Sequence, residues 1–378
     1  MKFLHLSDLH LGKSVHEFSM LEDQEYILKV ILNIADEENP QAVFISGDIF
    51  DRTVAPTEAL RLFDDFLDGL VRRSIETFII SGNHDSADRI AFGSRLMDKS
   101  GVHISRVYGG QITPYVLSDE FGELNVFLLP FLKPIQIKRF FPDSGITTWT
   151  EAIRTVIENL NVDESKRNVL IAHQFVTGAT TCESEEINVG GADNVDAEVF
   201  SPFDYVALGH LHGAQNIVRE SLRYCGTPLK YSFSEVEHEK SVTLVELAQK
   251  GSVAIQEIPL IPKRDMREIR GKYLEVTSRN FYQYLNTDDY YRIILTDEND
   301  QPDAIGKLRV IYPNLMSLKY DNMRTRTENS ITGIADVSRY TPIQLFDMLY
   351  EEQNGQPLSD TQRAFLNDLI EQVWEDAK

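Results

Sequence analysis

Short apolar runs recur along the first two-thirds of the chain, and each ends abruptly in polar residues. Residues 3–6, 42–46, 77–81, 125–129, 169–172 and 205–208 predict buried strands, being short, apolar and often β-branched. Between the first three, residues 24–35 and 56–73 predict helices. The second of these carries Leu60, Phe63, Leu67 and Leu70 on one stripe, expected to pack on a sheet. Leu62, Phe66 and Val71 widen the stripe and leave a flank for a second copy of the chain. Strands alternating with helices imply an α/β domain over residues 1–262, closed by Pro262-Lys263-Arg264. Beyond it, residues 273–277, 290–296, 308–312 and 316–320 read as strands of a smaller α+β segment spanning 263–335. Residues 336–378 carry helix punctuation. Thr341 caps a helix with Pro342 at its first position and Gly355 at its end. Ser359 and Gln362 then form a capping box for a helix striped by Phe365, Leu366, Leu369, Ile370, Val373 and Trp374. Such a pair either folds back on its own domain or docks on another protein.

Composition narrows the class. With 378 residues, 42% hydrophobic and 25% charged, this is an ordinary soluble globular chain of two or three domains. Two cysteines, Cys182 and Cys225, do not make a disulfide framework, and a reducing compartment, the cytoplasm, is expected. The opening MKFLHLSDLHLGK does not read as a signal peptide, since His5, Ser7 and Asp8 interrupt it. No apolar stretch approaches the roughly 20 residues of a membrane helix. The net charge of −22 argues against tight DNA binding by the whole surface. Bound metals would offset part of it, or a partner would supply the phosphate contacts.

The chemistry lies where the apolar runs stop. Asp8-x-His10, Asp48 in GDIFD, Asn83-His84-Asp85 in GNHD, His173 in AHQ and His210-x-His212 in GHLH each follow an expected strand. Period-two spacing points Asp8 and His10, and likewise His210 and His212, to one side. Asp48 can bridge two cations, because a carboxylate has two oxygens. His84 follows Asn83 directly, so its side chain diverges; it is a candidate catalytic imidazole rather than a ligand. A single histidine is more often structural than functional, and His5, His16, His103 and His238 are read that way. The set at strand ends is different, because open α/β sheets place their sites there. Imidazole, carboxylate and amide donors without thiolate suit Mn²⁺, Fe or Zn²⁺ better than Mg²⁺ or Ca²⁺. Two such ions imply phosphate-ester hydrolysis.

From Asp8 to His212 these motifs resemble the calcineurin-like metallophosphoesterases. The wording DLHLGK, GDIFDR, GNHDS, ESEEINVGGADNVDAEVFSPFDYVALGHLH and CGTPLKYSFSE is similar to the SbcD family, the nuclease subunits of bacterial SbcCD complexes. The resemblance implies a four-layer α-β-β-α sandwich with a small capping domain and C-terminal helices. It implies two Mn²⁺, one on Asp8, His10, Asp48 and His212, the other on Asp48, Asn83, His173 and His210. His84 would protonate the leaving 3′ oxygen, and Asp51 matches the position that orients this histidine. Arg52, Arg89 and Lys230 stand beside motifs and either touch the DNA backbone or are solvated charges. Where relatives often carry a basic residue after the last histidine motif, this chain has Gly213-Ala214. The family further implies a homodimer acting on DNA, at the nucleoid, with an SbcC-type ATPase docked on the C-terminal helices. Its activities would be a 3′→5′ exonuclease on duplex DNA and an endonuclease on hairpins and single strands, serving DNA replication, recombination and repair. Against these stand a phosphatase or nucleotidase of the same superfamily and a non-catalytic scaffold. Thr53 in place of the glycine of GDxVDRG, and Asp85 in place of the glutamate of GNHE, disfavour the protein phosphatases.

Overall fold

A computed structural model describes residues 1–183, 185, 193–322 and 342–376. The chain divides into two compact units, Met1–Asp265 and Met266–Lys378.

The first unit is built on two six-stranded sheets. Strands β1 (Lys2–Leu6), β2 (Ala42–Ser46), β3 (Glu76–Ile80) and β4 (Val102–Ile104) run parallel in the first sheet. The second sheet starts with β5 (Tyr115–Asp119), antiparallel to β6 (Gly122–Leu129). Next come β7 (Arg167–His173), β8 (Tyr205–Gly209) and the antiparallel pair β9 (Gln215–Ile217) and β10 (Arg219–Tyr224). There β6, β7, β8 and β10 are parallel. Finally β11 (Ser241–Leu247) and β12 (Val253–Pro259) return to the first sheet beside β1.

Alternation along the strands explains the layers. Val169, Ile171, Tyr205 and Ala207 face Phe3, Phe44, Phe78 and Ile80 of the other sheet in one buried cluster. Their neighbours Leu170, Ala172, Val206 and Leu208 face outward, against Ala152, Ile153, Val156 and Ile157 of helix α3 (Trp149–Glu158). On the far side, α1 (Leu21–Glu38) packs on α2 (Thr57–Arg72), and α2 on β3. This is the expected four-layer α-β-β-α arrangement. One detail differs: Leu60 is 50% exposed, whereas Phe66, assigned to the flank of α2, is buried. The inward series is Ala59, Phe63, Phe66, Leu67 and Leu70, an arc of about 100° on the helix with Leu60 just outside its edge.

The second unit contains a parallel sheet of β13 (Met266–Gly271), β14 (Tyr290–Leu295) and β15 (Leu315–Tyr320). Two expected strands are helical instead. Tyr273–Val276 forms one helical turn, started by an Asp297 carboxylate that accepts from Tyr273 N at 2.7 Å. Residues 308–312 lie at and beyond the end of helix α4 (Ala304–Arg309). There Leu308 and Tyr312 are both fully buried four residues apart, with Val310 exposed between them. A short apolar run satisfies either period, and the helical one wins here. Helices α5 (Pro342–Asn354) and α6 (Asp360–Asp376) follow the expected punctuation. Gly355 takes a left-handed φ of 63°. Gln362 N donates to Ser359 Oγ at 3.3 Å, and Ser359 N to Gln362 Oε1 at 3.0 Å. The expected Thr341 cap and the expected boundary at residue 335 lie outside the described residues. So does most of the quoted segment between Glu183 and Asp193. Among the described residues, no helix is long and apolar enough to cross a membrane.

Candidate metal centre

Every expected ligand stands at the C-terminal end of a parallel strand or just beyond it. The turns after β1 and β2 lie side by side. Asp8 N donates to Gly47 O (3.0 Å), His10 N to Asp48 O (3.0 Å) and Leu11 N to Ile49 O (2.9 Å). Asp8, His10 and Asp48 hold left-handed φ values of 52°, 44° and 49°, and His210 one of 107°. Such conformations cost about 1–3 kcal/mol each in non-glycine residues. Four strained residues at one site are consistent with side chains held for function. Gly47 must be glycine: its φ is +88°, and a Cβ would stand 2.6 Å from His173 Nδ1.

The side chains converge from both sheets. His10 Nε2 lies 3.2 Å from His212 Nε2. Asn83 Oδ1 lies 2.9 Å from His173 Nε2 and 3.0 Å from His210 Nδ1. Asp48 Oδ2 stands between these groups, 3.3 Å from His173 Nε2 and 3.9 Å from His10 Nε2. Asp8 clusters with His10 and His212, and also with Asp48 and His173. All but Asn83 are buried.

This donor set fits cations better than it fits itself. Two imidazole nitrogens 3.2 Å apart can share at most one proton. Burial pushes the Asp8 carboxyl up to about 6, helped by the charge on Asp48. Burial also lowers His210 to about 3 and holds His10 well below the usual imidazole range. Burial opposes a charged His173 too, but the Asp48 carboxylate beside it raises it to about 9. That proton sits where a divalent cation would serve both groups. Imidazoles mixed with carboxylate and amide oxygens suit Mn²⁺, Fe or Zn²⁺ better than Mg²⁺ or Ca²⁺.

The family model for calcineurin-like phosphoesterases matches residues 1–214, more than half of the chain. The chain belongs to the calcineurin-like phosphoesterase family. A second model, the type 5 capsule protein repressor C-terminal domain, matches residues 262–354. The chain is 29% identical over 374 residues to the SbcD component of the SbcCD nuclease from Staphylococcus epidermidis, covering 98% of each. Among solved structures, it resembles a dimetal phosphatase from Danio rerio at 15% identity (TM-score 0.43, 69% of this chain and 96% of that one). A Thermus thermophilus protein matches at 13% identity (TM-score 0.39, 68% and 98%).

In this phosphoesterase the ligand-type side chains are held by a further layer, which sequence reading missed. His173 Nδ1 donates to Ser46 O at 2.7 Å. His212 Nδ1 lies 3.4 Å from Glu235 Oε1, and Glu235 is fully buried against Lys240 Nζ at 2.6 Å. Gln24 Nε2 donates to His10 O at 2.7 Å, and Tyr231 Oη to Leu9 O at 2.6 Å. The Asp85 carboxylate accepts from Gly82 N, Ile49 N and Phe50 N at 2.9–3.1 Å, tying GNHD to GDIFD. Of these bracing side chains, only Asp85 lies within one of the expected motifs, GNHD. Tyr231 and Glu235 fall in the CGTPLKYSFSE wording, but nothing local marks Tyr231 as a support of the turn before His10, or Glu235 as a support of His212.

His84, expected to point away from the ligands, groups with His10 and Asp48 closely enough to share a cation with them. Its N–H donates to Asp48 Oδ1 at 2.9 Å, and its Nε2 is 3.9 Å from Asp48 Oδ2. The expected role of Asp51 needs correction. Its peptide oxygen, not its carboxylate, meets His84 Nδ1 at 3.1 Å. The carboxylate turns instead to Lys13 Nζ at 2.6 Å, a charge-assisted pair. Of the basic residues, Arg52 and Arg89 are exposed. Lys230 is not available to a DNA backbone. It is mostly buried, 2.9 Å from Asp265 Oδ1 and 2.7 Å from Val236 O.

Proposed function

We propose that this chain is the nuclease subunit of an SbcCD-type complex, a Mn²⁺-dependent phosphodiester hydrolase that cuts DNA. One observation carries the reading: a cluster of metal-ligand-type side chains in a chain similar to a nuclease subunit over 98% of both lengths. Asp8, His10, Asp48 and His212 would hold one cation, and Asp48, Asn83, His173 and His210 the other. When bound, two such ions polarise the phosphoryl oxygens and lower the pKa of a coordinated water. His84 supplies the proton for the leaving 3′ oxygen. Its Nδ1–H is spent on Asp51 O, so Nε2 is the atom that delivers it. The peptide oxygen of Asp51 fixes the ring, and Arg52 and Arg89 offer exposed charge to the phosphate backbone. The activities proposed are 3′→5′ digestion of duplex ends and endonucleolytic cutting of hairpins and single strands. They would act in DNA replication, recombination and repair in the cytoplasm. Residues 1–262 would be the nuclease domain, 263–335 the capping domain and 336–378 the dock for the ATPase. Exposed Leu60, Phe92 and Leu96 support a homodimer through the first unit.

The test compares linear duplex DNA with a simple aryl phosphodiester, both with Mn²⁺ and with the ATPase partner present. Hydrolysis of DNA supports the nuclease. Turnover of the small ester with none of DNA supports a phosphatase or nucleotidase instead. No turnover of either, with no metal bound, leaves a scaffold.

A further inference from the structure

A second group of ligand-type side chains adjoins the metal-type cluster at the other edge of the His212 ring. Each ring nitrogen belongs to a different group. Nε2 lies 3.2 Å from His10 Nε2, whereas Nδ1 lies 3.4 Å from Glu235 Oε1. Cys182 completes the second group: one donor atom each from Cys182, His212 and Glu235 lie within 4.8 Å of one another. Cys182 carries a thiol rather than a disulfide and is half-buried, while His212 and Glu235 are buried.

Three sets of contacts hold the thiol beside the other two donors. Thr180 N donates to Gln215 Oε1 at 2.8 Å, and Gln215 Nε2 donates back to Thr180 O at 2.8 Å. Glu183 N donates to Ser234 Oγ at 3.2 Å, one residue before Glu235. The Glu185 carboxylate accepts from Cys182 N at 2.8 Å and from His212 N at 2.6 Å, which ties the cysteine to the histidine directly.

The spacing suits a shared cation better than a hydrogen bond. A charge-assisted N–H···O bond closes to about 2.7–2.9 Å. Two donors bound to one tetrahedral Zn²⁺ stand about 3.3–3.4 Å apart. The 3.4 Å between His212 Nδ1 and Glu235 Oε1 matches the second case. Oε1 is also the less engaged oxygen. Lys240 Nζ holds Oε2 at 2.6 Å, whereas Tyr231 N reaches Oε1 only at 3.3 Å. Thiolate, imidazole and one carboxylate oxygen form a softer donor set than the first cluster, which has no thiolate. Such a set selects a thiophilic ion such as Zn²⁺ over Mn²⁺, Mg²⁺ or Ca²⁺.

We propose that Cys182, His212 and Glu235 form a third cation site, selective for a thiophilic divalent ion such as Zn²⁺, whose occupancy lowers hydrolysis at the neighbouring centre. Binding releases the thiol and Nδ1 protons to water. The ion then competes with the neighbouring cation for the electrons of one ring, and it takes the carboxylate that orients that ring. The inhibition rests on the metal-dependent hydrolase reading above; the binding does not.

Metal-free full-length parent, Cys182→Ser and Cys225→Ser proteins are titrated with Co²⁺, whose bond to a thiolate gives a near-ultraviolet charge-transfer band. Cys225, fully buried against Ser7, is the control thiol. The parent should develop the band, Cys225→Ser should keep it and Cys182→Ser should lose it. No band in the parent, or a band that survives Cys182→Ser, overturns the site. In parallel, Zn²⁺ is added to the Mn²⁺-loaded proteins during turnover of an aryl phosphodiester. Without Zn²⁺, Cys182→Ser should turn over within about twofold of the parent, because the thiol lies outside the reacting group. The Zn²⁺ concentration for half-inhibition should rise at least about tenfold in Cys182→Ser, the scale of one lost ligand. Equal inhibition of both proteins overturns the coupling to His212. If the parent hydrolyses neither the ester nor DNA, the hydrolase reading fails, and the Co²⁺ band alone decides whether the site exists.

Discussion

His5 lies between the two sheets, fully buried, with Nδ1 3.0 Å from Tyr205 Oη and Nε2 3.1 Å from Leu208 O. The peptide oxygen only accepts, so Nε2 carries the proton and Nδ1 accepts from the tyrosine. Burial, with the Arg223 charge nearby, lowers His5 to about 3. A lowered histidine is neutral in the fold, while the unfolded chain protonates it below about pH 6.5. Stability is therefore complete above that pH and falls as pH drops from 6.5 toward 3. Between pH 7.0 and 5.5 the His5 contribution to this loss is about 1.3 kcal/mol. Urea unfolding of His5→Gln at the two pH values should show a pH-dependent loss smaller by that amount; an identical loss would refute it. Glu235 acts at the same scale but on the site. Burial alone would raise its carboxyl, yet the Lys240 ammonium and His212 hold it well below the usual carboxylate range. Glu235→Gln removes the charge that orients His212. Mn²⁺ affinity measured by calorimetry should fall about 10- to 100-fold. His84→Gln should behave oppositely, retaining Mn²⁺ affinity and losing cleavage by at least about a hundredfold. Loss of metal in that variant would make His84 a ligand.

Among the elements, α5 and α6 are the least accounted for by their own unit. Phe346, Met348, Leu349, Phe365 and Leu369 are each at least 40% exposed. Apolar residues exposed on two consecutive helices favour the docking reading over folding back. Deleting residues 340–378 should abolish co-purification with the ATPase partner and spare Mn²⁺-dependent hydrolysis of the aryl ester. Unchanged co-purification would remove the dock from these helices. On α2, Leu60→Glu should shift a dimer toward monomer in sedimentation without lowering the melting temperature, because Leu60 is half exposed. The strands around the site were readable because each is a short apolar run closed by a polar motif. Residues 273–277 and 308–312 were not, because so short a segment with only a few apolar positions fits a strand and a helical turn equally well.

For the whole molecule, a net charge of −22 sets the expectation for DNA binding. The isolated chain should bind a short duplex no more tightly than typical non-specific affinities, with Kd of about 10⁻⁴–10⁻⁶ M at physiological salt. Fluorescence anisotropy with and without the partner checks this. Tight binding by the chain alone would mean that local positive charge, such as Arg52 and Arg89, outweighs the global field.

The sequence by itself determined where the parallel strands around the centre end and which residue types follow them. Those follow from local periodicity: a strand end fixes where the next two or three side chains can point. Only the tertiary structure decided which distant groups complete the site. Asp51 offers its peptide oxygen because Lys13 takes its carboxylate. Lys230 is spent on Asp265, and Glu235 braces His212 from beyond the last histidine motif. These pairings join residues from separate turns and strands, and their geometry exists only once both sheets have packed. The sequence marks a charge, but burial and the nearest competitor decide what that charge binds.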